Sequence, residues 1–460
     1  MSAPDVAVVG AGFAGLSAAA ALADAGARVL VVDARPQLGG RATAFADRET
    51  GELVDNGQHV LFGCYRETLA FLRRIGAEHH VRRQRSLSVP FIDRTGRRSV
   101  LRCPRLPSPL HLLAGVLSWD AIALRDRLTV LRLASPISAA RRALAESEGQ
   151  SFGVEGRATV AAWLRDHRQA PALVEWLWEP LAVAALNQSI DEASALPFVR
   201  VLAEMFGPDA DASALVLPNR PLHLMYAEPA RAFIESRGGT VCRGALAHIA
   251  VDGNRVEGLY VRGERVPAPV VVCAVPWFAM RTVFGSSVPP VLEPLVSRAA
   301  AMTSKAIVTV NLWYDRPVMD EPFVGLPGRD MQWVFDKRFA FGATASHLSL
   351  VSSGADALTG QPSATLIERA AREMHEALPG TRAARLVRGT VVREKHATFS
   401  LAPGQPSRPG TMTPVQGLVL AGDWIDTGLP GTIESAVISG HRAAGAIGAG
   451  TTFRRSGGAP

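Results

Sequence analysis

Three groups of residues in this chain have types and spacings that could do chemistry. Gly10-Ala11-Gly12-Phe13-Ala14-Gly15 is a glycine turn of the kind that grips a pyrophosphate, and Asp33 stands where a carboxylate accepts a bond from a ribose 2′-hydroxyl. An acid at that place disfavours a 2′-phosphate, which leaves NAD or FAD. The second group, Asp55-Asn56-Gly57-Gln58-His59, holds two titratable side chains beside a glycine whose backbone can pass close to a ring. The third is Gly422-Asp423, which precedes a helix-compatible stretch carrying Glu434 near its start.

The elements that must position these groups can be read around them. Val6 to Val9 is an apolar run of strand length that feeds Gly10, Leu16 to Ala25 is alanine-rich and helix-compatible, and Arg28 to Val32 is a second strand ending at Asp33. Within the turn, Gly10 allows the bend, Gly12 lets backbone approach the phosphates, and Gly15 lets the helix lie close to the strand. Further strands follow around Gly238 to Val241, at Leu246 to Val251 and Val256 to Val261 about Asp252-Gly253-Asn254, at Val270 to Pro276 and at Leu418 to Ala421, and a helix follows from Ile433 to Ile447. The expected fold class is α/β: a discontinuous Rossmann-like cofactor domain from 1–75, 221–285 and 405–450. Residues 76–220 and 286–404 make an α+β substrate domain of helices and a mixed sheet, and 451–460 form a C-terminal tail. The first insertion reads as helical and apolar from Leu110 to Leu133, with Trp163, Trp176 and Trp178 beyond. The second reads as strands at Ala306 to Tyr314, Met331 to Phe335, His347 to Val351 and Val387 to Val392, with a helix from Ser363 to Leu378.

Composition narrows the class. No uninterrupted apolar run reaches membrane-spanning length, and the apolar N-terminus lacks the basic lead of a signal peptide, so it reads as retained and the protein as cytoplasmic. Cys64, Cys103, Cys242 and Cys273 show no CxxC pair and no histidine spacing, which argues against a disulfide framework or a metal site. The net charge of +7 is carried almost wholly by arginine, since Lys305, Lys337 and Lys395 are the only lysines. The arginine pairs lack interleaved aromatics, which argues against nucleic acid and leaves a solvated basic face or attraction to anionic lipid.

Several motifs then carry a resemblance. Gly39-Gly40-Arg41 beyond the ribose acid, with Gly422-Asp423 before a helix, resembles the FAD-dependent amine oxidase and carotene desaturase superfamily over most of the chain. The resemblance implies non-covalent FAD held at Gly10, Gly12, Phe13, Ala14, Gly15, Asp33, Gly39, Gly40, Arg41, Gly57, Gln58, His59, Ala247, Gly422, Asp423, Gly431, Thr432 and Ile433. It sets Asp423 at the ribityl-phosphate region and aims the last helix at the flavin pyrimidine, where its roughly half positive charge favours the reduced anion. Asp55 to Tyr65 resembles a block of the plant-type phytoene and zeta-carotene desaturases, with Leu61 in place of a phenylalanine. Trp178 to Asn187, Lys395 to Phe399 and Gly422 to Glu434 resemble the bacterial hydroxysqualene dehydroxylases. Ser304-Lys305 departs from that branch and reads as an exposed lysine at a strand start.

That branch implies a linear C30 isoprenoid alcohol, hydroxysqualene, reduced to squalene in squalene and hopanoid biosynthesis, with an unidentified electron donor. His59 is the candidate acid, with Asp55 and Glu434 as anionic groups; His59 could equally bond within the core, and Asp55 could cap a turn. About 30 carbons at roughly 0.8 kcal/mol each give a transfer cost of some 20 kcal/mol or more, so the substrate must come from a lipid phase. Leu110 to Leu133 is therefore either a membrane-dipping face, which would make the protein peripheral on the inner face of the cell membrane, or an ordinary core helix pair. The rival readings are a carotenoid or phytoene desaturase, with the same flavin used in the opposite direction, and a non-catalytic prenyl-binding escort protein.

Overall fold

In the computed structural model, which describes residues 3–146, 157–342 and 346–449, the N-terminal motif forms a strand, a helix and a second strand, β1 (Val6–Val9), α1 (Phe13–Asp24) and β2 (Val29–Asp33). The expected tail, 451–460, lies outside the described residues. Three later strands, β3 (Thr240–Arg243), β4 (Val271–Cys273) and β5 (Leu418–Leu420), complete a parallel sheet in the order β3-β2-β1-β4-β5. Every pairing in it is parallel, and β1 and β2 are buried along their whole length, as a sheet covered on both faces requires. Val6, Val8, Val29 and Val31 face a helical layer of α1 and α2 (Ile433–Gly448). Ala7, Val9, Leu30 and Val32 face a three-stranded antiparallel sheet, Ala247–Asp252, Arg255–Val261 and Glu264–Pro267.

The alanine-rich composition of α1 has a packing reason. Ten of its residues are buried, and small side chains let β1, β2 and α2 close on it from several sides. The closest approach to α2 is at Gly440, where an added Cβ would meet Ser17 Oγ at 2.2 Å and Ala14 O at 2.3 Å.

The second layer system is a seven-stranded mixed sheet. Its order is Leu386–Phe399, Ser304–Tyr314, Ser346–Ser353, Trp333–Asp336, Phe323–Gly325, Ser88–Ile92 and Arg98–Arg102. The helical reading of Leu110 to Leu133 holds, and the last two strands, which precede it in the first insertion, are an addition the sequence reading did not place. They form a hairpin about Asp93, whose carboxylate accepts from the amides of Thr95 and Arg97, and Gly96 takes the positive φ of the turn. The signal was present in Asp93-Arg94-Thr95-Gly96 between two alternating runs. Leu386–Phe399 is also longer than its apolar half suggested, because Lys395 to Phe399 continue the pairing past a bulge with Lys305 and Ser304. Helices from 110 to 205 pack on this sheet in a separate apolar core that contains Trp119, Trp163 and Trp178.

Gly440→Ala drives a methyl into backbone, so it should destabilise the fold by about 3 kcal/mol, the upper end for overpacking. Gly445→Ala, exposed on the same helix with nothing near its added Cβ, should be neutral or stabilising by up to about 1 kcal/mol. Urea unfolding of the two variants beside the parent measures both.

Candidate functional site

At the head of β1 the backbone leaves room only for glycine. A Cβ on Gly10 would stand 2.7 Å from Ala274 O, and one on Gly15 would stand 1.9 Å from Gly10 O. Gly12 and Gly40 pass face to face, since a Cβ on Gly40 would come within 3.3 Å of Gly12 Cα. Gly12 is the N-cap of α1 and no side chain caps that end, so its first amides, from Phe13 and Ala14 onward, are free donors for an anion. Asp33 is already partly engaged. One carboxylate oxygen accepts the Ala11 amide at 2.6 Å and the other the Arg35 amide at 2.8 Å, so the acid holds the turn in shape while it waits for a ribose. Asp33 O also accepts the Ala245 amide, which brings the start of the Ala247 strand beside it.

Arg41 joins this end to the last segment. Its guanidinium forms an ion pair with Asp423, donates to Ala397 O at 2.8 Å and lies over the Trp277 ring. Burial opposes the Arg41 charge, but Asp423, with smaller help from Glu394 and Tyr226, outweighs it and holds its pKa above the usual value. Gly431 is packed against Asp423, and Thr432 caps α2 by accepting the Ser435 amide, with Ile433 as its first residue. A Cβ on Gly422 would strike the Trp424 ring at 2.7 Å. Asn56 continues the line, donating to Arg41 O at 3.0 Å and to Glu394 at 2.9 Å.

The turn that follows is built on a residue which the motif reading passed over. Lys337, 1% exposed, donates to Asp55 Oδ2 at 2.7 Å and to Gln58 Oε1 at 2.7 Å, and its ammonium sits over Phe341. Asp55 Oδ1 takes the Leu222 amide, so the acid anchors the turn and has its charge matched. Only the rarity of lysine in this arginine-rich chain singled out position 337 in sequence. His59 donates from Nδ1 to Gly57 O at 3.1 Å. Burial lowers its pKa below the ordinary histidine value, so at neutral pH the ring is uncharged and Nε2 is an acceptor. The expected proton donor is an acceptor in this state. A Cβ on Gly57 would make only ordinary van der Waals contact, with Thr309 Oγ1 at 3.9 Å and His59 Cε1 at 4.0 Å, so the bare backbone here lies beside these two side chains.

Glu434 departs from its expected place among the reacting groups. Its oxygens accept from the Glu67 and Thr68 amides at 2.9 Å and from the Thr68 hydroxyl at 2.6 Å. Those amides open the helix Arg66–Arg74, whose own N-cap residue, Tyr65, supplies no side-chain bond, so Glu434 caps it from another segment. Burial pushes the carboxyl up to about 7 against the pull of these donors. Lys305 is likewise no free surface lysine; its ammonium bonds Glu192 at 2.7 Å and Asp356 at 3.0 Å.

The donors at α1, the glycine cradle at Gly12 and Gly40 and the bare backbone at Gly57 fit a dinucleotide that runs from β1 toward the seven-stranded sheet. Comparison with known proteins agrees. The family model "Flavin containing amine oxidoreductase" matches residues 13–448. A hydroxysqualene dehydroxylase of Rhodopseudomonas palustris is 31% identical over 95% of this chain and 96% of its own. A zeta-carotene desaturase of Arabidopsis thaliana is 26% identical over 96% and 85%. A crystal structure of an oxidoreductase from Methanosarcina mazei superposes with a TM-score of 0.73 at 18% identity, covering 95% of this chain and 99% of that one.

Glu434→Ala leaves two helix amides uncapped, so it should cost about 2 kcal/mol in urea unfolding. Turnover of the folded, FAD-loaded variant should fall less than threefold; an unchanged midpoint with a large loss of turnover would return Glu434 to the reacting groups.

Proposed function

The chain belongs to the flavin-containing amine oxidoreductases, and on that premise we propose that this FAD-dependent oxidoreductase converts hydroxysqualene to squalene. The observation that carries the reading is likeness along nearly the whole chain to relatives named for that reaction, in both the cofactor segments and the insertions. The change is a two-electron reduction in which an allylic C–O bond breaks, the oxygen leaves as water with one added proton, and hydride takes its place. Bound FAD, in its reduced form, supplies that hydride.

The chain's own residues would then divide the work. The amides of α1 with Arg41 and Asp423 hold the cofactor phosphates and ribityl region, Asp33 and the segment at Ala247 hold the adenosine end, and the N-terminus of α2 faces the ring. Lys337 fixes Asp55 and Gln58 so that Gly57 presents bare backbone to the flavin, and the helical lobe excludes water from an apolar substrate. His59, uncharged and with Nε2 open, orients a water or the leaving oxygen. Asp55, paired with Lys337, lends an allylic cation little net charge.

A second reading has its own support in the carotene desaturase relative, in which the same site would remove hydrogen from a hydrocarbon. Product analysis separates them. Reduced enzyme incubated anaerobically with hydroxysqualene should yield squalene, whereas oxidised enzyme with phytoene should leave it unchanged. The opposite pair of results would replace the first reading by the second, and protein that neither carries nor takes up FAD would sink both.

The substrate's origin bears on the surface. Among the described residues no helix is long and apolar enough to cross a membrane. Yet Leu106, Leu110, Leu124, Leu128 and Leu131 are each more than 40% exposed, while Leu112, Val116, Val130 and Leu133 between them are buried. The region thus has a buried side that packs as core and an exposed apolar side. Leu124, Leu128 and Leu131 lie at helical spacing beside the exposed Arg125 and Arg132, a pattern suited to an anionic lipid surface. The protein should sediment with phosphatidylglycerol vesicles, and changing these three leucines to serine should cut the bound fraction at least fivefold without loss of FAD. Equal sedimentation of parent and variant would remove this face from membrane contact.

A further inference from the structure

Two polar groups face the candidate site without a partner. Thr309 Oγ1 and Asn311 Nδ2 belong to residues that are each 1% exposed, and neither atom has a hydrogen-bond partner among the described residues. Both lie on the strand Ser304–Tyr314, two residues apart and so on one face. Thr309 Oγ1 and the His59 ring both lie against the bare backbone of Gly57, 3.9 Å and 4.0 Å from where its Cβ would stand. The same face is apolar one step away, where Ile307 and Val351 join the core of the helical lobe. A long hydrocarbon lying against that lobe therefore meets polar atoms at one place along its path.

The orientation of Asn311 is set from behind. Its Oδ1 accepts from His347 Nε2 at 2.9 Å, and the His347 ring is stacked on Trp313, whose indole N–H donates to Glu52 at 2.5 Å. Burial lowers His347 to about 3, so the ring is neutral and its single N–H is committed to Asn311. The carboxamide consequently turns its N–H groups, and not its oxygen, outward. His347 acts here as a positioning residue.

Buried donors without partners are costly, and they are rare unless a ligand completes them. The substrate proposed above has a single polar atom. We propose that Thr309 and Asn311 form a hydroxyl subsite, in which the threonine hydroxyl and the asparagine N–H bond the oxygen of an allylic isoprenoid alcohol and select it over the corresponding hydrocarbon. The inference rests on the dehydroxylation reading and sharpens it. Neither group gives up its proton; both hold the oxygen while the C–O bond weakens. A pure hydrocarbon would leave both donors unsatisfied, and sites built around a hydroxyl discriminate strongly against analogues that lack it.

The test is equilibrium binding to the oxidised, FAD-loaded enzyme, read from perturbation of the flavin absorbance by hydroxysqualene and by squalene. The parent should prefer the alcohol at least tenfold. Thr309→Val and Asn311→Leu should each bring the ratio to within threefold of one through weaker alcohol binding, with squalene affinity and FAD content unchanged, and Thr309→Ser should keep the preference. A parent without preference, or variants that retain it, would overturn the subsite. So would loss of FAD from Thr309→Val with the preference intact, which would assign these groups to the cofactor. Failure of the dehydroxylation reading shows separately, as absence of squalene from reduced enzyme that still prefers the alcohol.

Discussion

The ion pair between Arg41 and Asp423 is the constraint on which the rest of the architecture turns. It joins residues 382 positions apart, and the same guanidinium reaches Ala397 on the edge strand of the seven-stranded sheet. One cation therefore fixes the first segment, the last segment and the substrate lobe relative to one another. A buried charge tolerates the loss of its partner badly, which makes such a pair a register pin more than a source of stability. The glycines beside it serve the same geometry: Gly12 and Gly40 let two backbone segments pass closely, and Gly431 lets the last segment lie against Asp423 and Phe399.

Toward Gly57, charge is cancelled. Asp55 is matched by Lys337, His59 is uncharged, and Glu434 is turned away to cap a helix. What lies about Gly57 is neutral backbone, an imidazole acceptor and the Thr309 hydroxyl, with Asn311 two residues along the same strand. A quiet electrostatic field suits a hydrocarbon chain bearing one hydroxyl, and it would serve a charged amine poorly. The family is defined by its cofactor frame, and under the proposed reading the choice of substrate lies in these few side chains.

The cofactor frame was legible in sequence because each of its parts is local. The glycine turn, the acid at the end of β2 and the glycine-aspartate pair before α2 all announce themselves within a few residues. What escaped was what depends on contacts between distant segments. Lys337 lies 282 positions from the aspartate it neutralises, and Glu434 lies 366 from the helix it caps, so neither partnership has a spacing to read. The hairpin Ser88–Ile92 with Arg98–Arg102 was overlooked for another reason: the apolar tryptophan-rich stretch beyond it dominated the periodicity of its segment. Thr309 and Asn311 read as ordinary polar residues of an alternating strand, and only the missing partners set them apart.

The strand order of the parallel sheet also dictates when the molecule can be finished. β1 leaves the ribosome within the first ten residues, but its neighbour β4 follows some 260 residues later and β5 only after residue 417. Because domains fold as the chain emerges, both insertions are complete before the nucleotide-binding sheet can close. The apolar lobe, with its exposed leucines, must therefore wait beside an unfinished frame, in the state where non-local pairings are slowest to form. A newly made chain is thus most in need of a chaperone in the interval before β5 arrives.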